Sequence, residues 1–246
     1  MTKITIFLFA KTILILFMLN GCSNTSNAVF ENNDPLEPLN RNVFSFNKYL
    51  DKRIISPISS TYVKKVPSKV RRGISNHLEW MDTPSTIINS VLQTDMENTI
   101  LASAKFMLNG LTLGFYDLDG GETKIKKKDF GSTLANLNFP EGPFLMVPFL
   151  GPKTTRDLTG TFLDKQNLMT LSSDSINDLS LSEIPINLID KRGKMQKTID
   201  NIYLSTDPYI KIRSYYLQNR RNDIYGKKYI NNKNNNSDTE FEKLLD

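Results

Sequence analysis

The chain opens on an apolar run. Ile4 to Leu19 is 16 residues long with Lys11 inside it, short of the roughly 20 apolar residues that a membrane-spanning helix needs. Ser23 to Asn33 is polar and rich in Asn and Ser, the composition of a flexible tether. Beyond it, apolar positions recur at spacings of three and four, the period of helices with one buried face. Asp34-Pro35 reads as N-cap and first helical residue. Leu36, Leu39, Val43, Phe46 and Leu50 follow as one stripe, which Phe44 widens. Pro57 ends an extended stretch after this helix. Pro67-Ser68 starts a second helix, with Val70, Ile74, Leu78 and Met81 on one face, and Thr83-Pro84 starts a third, with Ile87, Ile88, Val91 and Leu92. Thr94 and Glu97 have capping-box spacing. They open a helix whose buried side is Ile100, Leu101, Ala104 and Leu108, while Phe106 and Met107 extend its apolar arc.

The pattern then breaks. Gly110, Gly114, Gly120 and Gly121 punctuate a loop. Ile125 to Asp129 is basic and exposed, and Phe130 to Leu137 forms a short helix. From Pro140 to Pro152 nearly every residue is apolar, yet Pro143, Pro148 and Pro152 forbid a long helix. This is a strap, either buried or facing lipid. Thr154 or Thr155 caps another helix, with Leu158 and Phe162 inward. Ser172 to Ser182 is a polar linker. Ile184, Leu188, Met195, Ile199 and Ile202 mark a long amphipathic helix interrupted by Gly193, and Asp207-Pro208 opens a Tyr-rich basic helix to about Tyr225. An Asn-rich run from Asn231 has the low complexity of a disordered tail. No run alternates with period two, so the expectation is one all-α domain over 34–226 with a polar tail over 227–246.

Composition narrows the chemistry. The chain has one cysteine, Cys22, and one histidine, His77. A zinc site of the usual Cys/His kind cannot be built from them, and a Ser-His-Asp triad would have to use His77. Gly73-Ile74-Ser75-Asn76-His77 lacks the second glycine of G-x-S-x-G, and residues two apart on a helix point to different sides. Gly151-Pro152-Lys153-Thr154 lacks the first glycine of a phosphate loop. Asp117, Asp119 and Glu122 in a glycine turn read as turn chemistry rather than a Ca²⁺ site. The expectation is therefore no catalysis, no cofactor and no metal. The formal charge is +5, and two lower once Lys3 and Lys11 are gone. That excess is too small to argue for nucleic acid and is compatible with an anionic lipid surface.

Leu19-Asn20-Gly21-Cys22 resembles the lipobox of a bacterial lipoprotein, with Lys3 as n-region and Thr12 to Leu19 as h-region. On that reading residues 1–21 are a signal peptide, Cys22 carries the lipid and 22–33 is the tether. Ser23 rather than Asp after the cysteine favours the outer membrane.

Three further stretches resemble the MlaA/VacJ family of outer-membrane lipoproteins. The first is Asp34-Pro35-Leu36-Glu37-Pro38-Leu39-Asn40-Arg41 with Phe44, Phe46-Asn47 and Leu50-Asp51. The second is Asp129-Phe130-Gly131-Ser132-Thr133-Leu134, then Gly142-Pro143-Phe144, Pro148, Leu150-Gly151-Pro152 and Arg156-Asp157. The third is Asp207-Pro208-Tyr209 with Arg213, Tyr216-Leu217 and Arg220-Arg221. Asn76, Pro84, Asn89, Leu92-Gln93, Phe106 and Asn109 also fit. Gly110, the acids and glycines of Leu118 to Glu122, and Asn136-Leu137-Asn138 depart from the family pattern. The resemblance implies a ring-like helical protein in the inner leaflet of the outer membrane. It would conduct mislocalised phospholipids inward to a periplasmic carrier, beside a trimeric porin. Phe44, Phe46, Phe144, Met146 and Phe149 are then expected to touch acyl chains. The competing expectation is an assembly lipoprotein that binds an outer-membrane protein and moves no lipid.

Overall fold

The computed structural model describes residues 34–171 and 185–226. The lipobox, Cys22, the tether, the Ser172–Ser182 linker and the tail over 227–246 lie outside them. The described residues are mostly helical. Helix α1 (Glu37–Leu50) runs through a π-turn (Asp51–Ile55) into α2 (Ser56–Lys65). Helices α3 (Ser68–Leu92) and α4 (Met96–Gly110) pack on each other, and a loop leads to α5 (Phe130–Asn136). Strands β1 (Phe144–Val147) and β2 (Gly151–Thr154) form an antiparallel hairpin. The chain continues as α6 (Thr155–Leu171), α7 (185–194), α8 (Gln196–Leu204) and α9 (Pro208–Tyr225).

Several boundaries differ from the pattern's expectation, each for a local reason. Helix α1 starts two residues after Pro35, with Leu36 at the N-cap and Pro38 in the first turn. No extended stretch precedes Pro57. The π-turn widens the backbone there, with Ser56 N–H bonded to Asp51 O five residues back, and Pro57 falls in the first turn of α2, where its missing N–H does no harm. Thr83-Pro84 does not start a helix either. Pro84 lies inside α3, and the Thr83 hydroxyl donates to the Glu79 carbonyl at 3.0 Å. Asp95, not Thr94, caps α4 through Asn98 N–H. The break before α8 falls at Met195, not Gly193. The strap is a β-hairpin, and so a small sheet in an otherwise all-α unit. Phe144 and Met146 point inward, Leu145 and Val147 less so.

The main core joins α1, the hairpin and α9. Phe44, Phe144, Met146 and Tyr209 are buried together, with Tyr209 edge-on to both phenylalanines at about 6 Å. The hairpin is held by two asparagines of α1. Asn40 Nδ2–H donates to Phe144 O at 3.0 Å and Met146 N–H donates to Asn40 Oδ1 at 2.8 Å. Two turns on, Asn47 Nδ2–H donates to Val147 O and Phe149 N–H donates to Asn47 Oδ1, both at 3.0 Å. Each side-chain amide stands in for a peptide of a missing third strand, so the free edge of β1 is satisfied. Asn98 does the same for the backbone of Lys126. Replacing Asn40 by leucine should cost about 2–4 kcal/mol, because it strands one buried N–H and one buried C=O. Urea melts of the full chain would show it, and a loss under 1 kcal/mol would mean that α1 and the hairpin dock through apolar contact alone.

Candidate functional site: an outward apolar surface and amphipathic cavities

Polarity in this unit is turned round. Among the described residues, buried polar side chains outnumber buried apolar ones, the reverse of an ordinary soluble interior. On α1, Leu39 and Phe46 of the expected stripe face out, while Asn40 and Phe44, and Asp51 at the start of the π-turn, are buried. On α3, Thr83, Thr86, Asn89 and Ser90 are buried, and Val91 and Leu92 are exposed. On α4, Asn98, Ala102 and Asn109 face in, whereas Ile100, Leu101, Met107 and Leu108 face out, Met107 at 74 %. Leu111 in the following loop is 80 % exposed, and Phe162 is exposed too. The expected buried face of α4 is thus an outer face, while those of α1, α3 and α6 are split: Phe44 and Leu78 are buried, and Leu39, Phe46, Val70, Val91, Leu92 and Phe162 face out.

Three polar clusters fix the helices in these orientations. In the first, Arg220 of α9 donates through both Nη atoms to the Asp129 carboxylate at 2.8 and 2.7 Å and through Nε to Asp157 Oδ1 at 2.9 Å. Tyr216 O–H donates to Asp157 Oδ2 at 2.6 Å. Asp129 is the N-cap of α5 in a capping box with Ser132, so Arg220 ties the starts of α5 and α6 to α9. Gly131 lies under this network: a Cβ there would stand 2.7 Å from Arg220 Nη2. In the second, Asp164 of α6 accepts from Ser85, Asn89 and Phe130 N–H, and Thr133 donates to Asn89. In the third, Arg192 of α7 bridges Asp51 and Asp200, each at 2.8 Å.

The family-like residues therefore act as fasteners. Arg41 joins Glu37 to Asp207 and stacks on Tyr209. Asp207 caps α9. Arg156 donates to Phe139 O, and Gly142 takes a positive φ beside the Thr155 side chain. Pro143 O, just ahead of β1, accepts from Thr155 N–H, and Gly151 starts β2 with a positive φ. Asp34 and Pro35 precede α1. Asp164, Arg192 and Gly160, whose backbone meets that of Gly131, carry equal weight, but nothing in the sequence marks them, since the decisive partners (Asn89 and Phe130, Asp51, Gly131) lie tens of residues away.

These ion pairs set a pH dependence. Arg41 draws the Asp207 carboxyl below its usual range, and Lys128 does so for Asp95. Burial alone would raise Asp129, but Arg220 more than reverses it. A carboxylate with a lower pKa folded than unfolded adds stability above its unfolded value near 4, and that stability is lost as pH falls through the folded value. Urea midpoints should therefore be level from about pH 7 to 5 and fall below about pH 4. Asp207→Asn should be less stable than the parent at neutral pH and approach it in acid; a constant offset at every pH would refute the linkage.

The five residues expected to touch acyl chains divide. Phe44, Phe144 and Met146 belong to the core; Phe46 and Phe149 are exposed and meet edge-on at 5.5 Å. Phe149 is 71 % exposed at the hairpin tip with φ 63°, a left-handed conformation that costs a non-glycine residue about 1 kcal/mol or more. Behind this tip lies a cavity of about 270 Å³. Phe44, Met146, Ile199 and Tyr203 give it an apolar lining, and Lys48, Lys191 and Arg192 add cationic groups. The Tyr203 hydroxyl is pushed far up by burial and the Asp51 carboxylate, so it stays a neutral phenol.

Three further cavities follow the side of α3, of about 830, 370 and 250 Å³, and Asn76 lines all three. The hydroxyl of Ser75 is engaged: it donates to Asp190 at 3.2 Å and accepts from Lys194. His77 is engaged elsewhere, stacked on Phe115 at 4.6 Å with Nδ1 at Leu113 O. Asp117 and Asp119 hold Lys105, and Asp119 also accepts from the N–H groups of Gly121 and Thr123. Apolar walls with scattered cations suit an amphiphile.

Comparison with known proteins agrees. The family model for the MlaA lipoprotein matches residues 32–223. A Rickettsia conorii protein is 34 % identical over 200 residues, 79 % of each chain. The intermembrane phospholipid transport system lipoprotein MlaA of Escherichia coli K12 is 29 % identical over 208 residues, 82 % of each chain. A solved structure reported under "Structural basis for maintenance of bacterial outer membrane lipid asymmetry" aligns with a TM-score of 0.66 at 30 % identity, covering 79 % of this chain and all of that one. The chain belongs to the MlaA lipoprotein family.

Proposed function

We propose that this protein is an outer-membrane lipoprotein of an intermembrane phospholipid transport system and maintains lipid asymmetry by passing mislocalised phospholipids inward. The inverted polarity of the helices carries this reading. Soluble monomers rarely expose wide apolar surface, and polar pairs rather than apolar burial fasten helices where the surroundings are themselves apolar. Among the described residues no helix is long and apolar enough to cross a membrane. The outward faces of α1 and α4 and the loop after Gly110 would instead lie in one leaflet, the inner one, as amphipathic interfacial helices do. Signal cleavage after residue 21 and lipidation of Cys22 would add a second anchor. The step is passive: the apolar cavity behind Phe149 receives acyl chain, and the cavities along α3, whose walls carry Lys69, Arg72 and Asn76, receive the headgroup. No bond is made or broken. A trimeric porin would meet the outward apolar surface, and a periplasmic carrier would accept the lipid.

Cells lacking the gene should accumulate phospholipid in the outer leaflet, and restoring it should clear that accumulation. Normal surface lipid in the deletion strain would refute the reading and leave an assembly role. Phe149 separates contact with lipid from packing. Phe149→Asn suits the left-handed conformation and should raise stability by up to about 1 kcal/mol, while Phe149→Asp should keep the fold. Both should fail to clear surface phospholipid. Unfolding of the aspartate variant would mean instead that the tip packs against protein.

A further inference from the structure

The cavity of about 830 Å³ lies beside the first turns of α3. Lys69, Arg72 and Asn76 line one side, and Phe115, Tyr116 and Asp117 the other. Among the described residues, neither Lys69 nor Arg72 has a carboxylate partner. Their neighbours are occupied: Arg71 Nε–H donates to Val66 O, and Lys194 pairs with Asp190. The one acid on the wall is occupied too, since Asp117 accepts from Lys105 and Asn109. Two spare cations therefore face an aromatic wall with room for a headgroup and its glycerol. The first turn of α3 has no acidic residue. With Asp117 paired to Lys105, Lys69 and Arg72 leave this wall net positive.

We propose that this cavity is the headgroup site for a phospholipid of net negative charge, so that the protein favours anionic over zwitterionic phospholipids. The inference rests on the transport reading above and adds the substrate class. Any phosphodiester would be attracted by Lys69 and Arg72. A zwitterionic headgroup also brings an ammonium, which the same two cations repel, whereas a phosphoglycerol headgroup brings hydroxyls that the Asn76 amide and Tyr116 hydroxyl can meet. Discrimination thus comes from repulsion of the wrong headgroup as well as attraction of the right one. Asn76 also lines the two adjoining cavities, so a headgroup bound here is next to the rest of the polar path.

The test uses the full-length lipidated protein, incubated with vesicles of equal parts phosphatidylglycerol and phosphatidylethanolamine and then re-isolated, with bound lipids quantified. Phosphatidylglycerol should be enriched. Lys69→Glu with Arg72→Glu should lower the bound ratio by about five- to thirtyfold, the range one or two cationic contacts support, with total lipid roughly kept. Lys64→Glu with Lys65→Glu, outside the cavity wall, should leave the ratio unchanged. The neutral pair Lys69→Gln and Arg72→Gln, checked by thermal melting, guards against misfolding and should give an intermediate ratio. An unchanged ratio in the cavity variants, or an equal fall in the Lys64/Lys65 control, overturns the headgroup site. So does displacement of phosphatidylglycerol by inorganic phosphate where sodium chloride of equal ionic strength does not displace it, which would assign the cavity to free phosphate. If no lipid is recovered with any form, the transport reading itself fails.

Discussion

Exchanging Gly160 for alanine should leave little folded protein. Helices α5 and α6 cross with their backbones in contact at Gly131 and Gly160. A Cβ built on Gly160 would fall 2.7 Å from Gly131 Cα and closer still to Gly131 N. Those atoms are backbone, so no side chain can swing away; the helices must separate. Separation would pull Asp129 and Asp157 apart at the point where Arg220 bridges them. A loss of about 4 kcal/mol or more is expected, the range reserved for mutations that break a buried network as well as packing. Yield of soluble, detergent-extracted protein and its urea midpoint would check it. A loss near 1 kcal/mol would show that the crossing can open. Gly193 is the control: a Cβ there meets the ends of the Val63 and Ser59 side chains, which can shift, so its cost should be clearly smaller.

Arg220→Met should cost about 3–5 kcal/mol, since it leaves a buried carboxylate without its cation. The Asp157 side chain is almost wholly buried, and methionine supplies volume but no charge. Asp157→Asn in the same background should recover part of the loss, because the uncompensated charge is then gone. Double-mutant analysis of stability would read this directly. If the double variant is no better than Arg220→Met, the arginine acts through packing, not charge. Activity should fall in step with the folded fraction for each variant, since Arg220 and Asp157 line none of the cavities proposed for lipid. That distinguishes them from Phe149, where activity and folding should part.

Much of the architecture is legible in the residues. The Asp207-Pro208 cap, the Asp129 start of α5 and the helical period of α1, α3 and α4 all appear in the structure. Proline misled twice. Pro57 reads as the end of an extended stretch and Pro84 as part of a helix start, but a π-turn leads into the first and a hydroxyl bonded back to a carbonyl precedes the second inside α3. The hairpin was hidden because a four-residue strand with three prolines around it has too few positions to show alternation. Of the residues expected to touch acyl chains, Phe46 and Phe149 lie on the surface and Phe44, Phe144 and Met146 in the core, with Phe44 and Met146 also lining the cavity behind the hairpin tip.

By itself the sequence determined most of the helices, the Asp207 cap, the family and part of the set of residues that fasten the helices, Arg41, Asp129, Asp157 and Arg220 among them. It could not determine which way the apolar stripes face. A stripe has the same period whether it packs on protein or on hydrocarbon, because both surroundings are equally apolar. The choice is made by polar pairs far apart in the chain. Asn40 reaches the hairpin 104 residues on, and Asp51 reaches Arg192 across 141. Such pairs leave no periodic trace. Once they turn the polar side of α1 inward, Leu39 and Phe46 have nowhere to go but out.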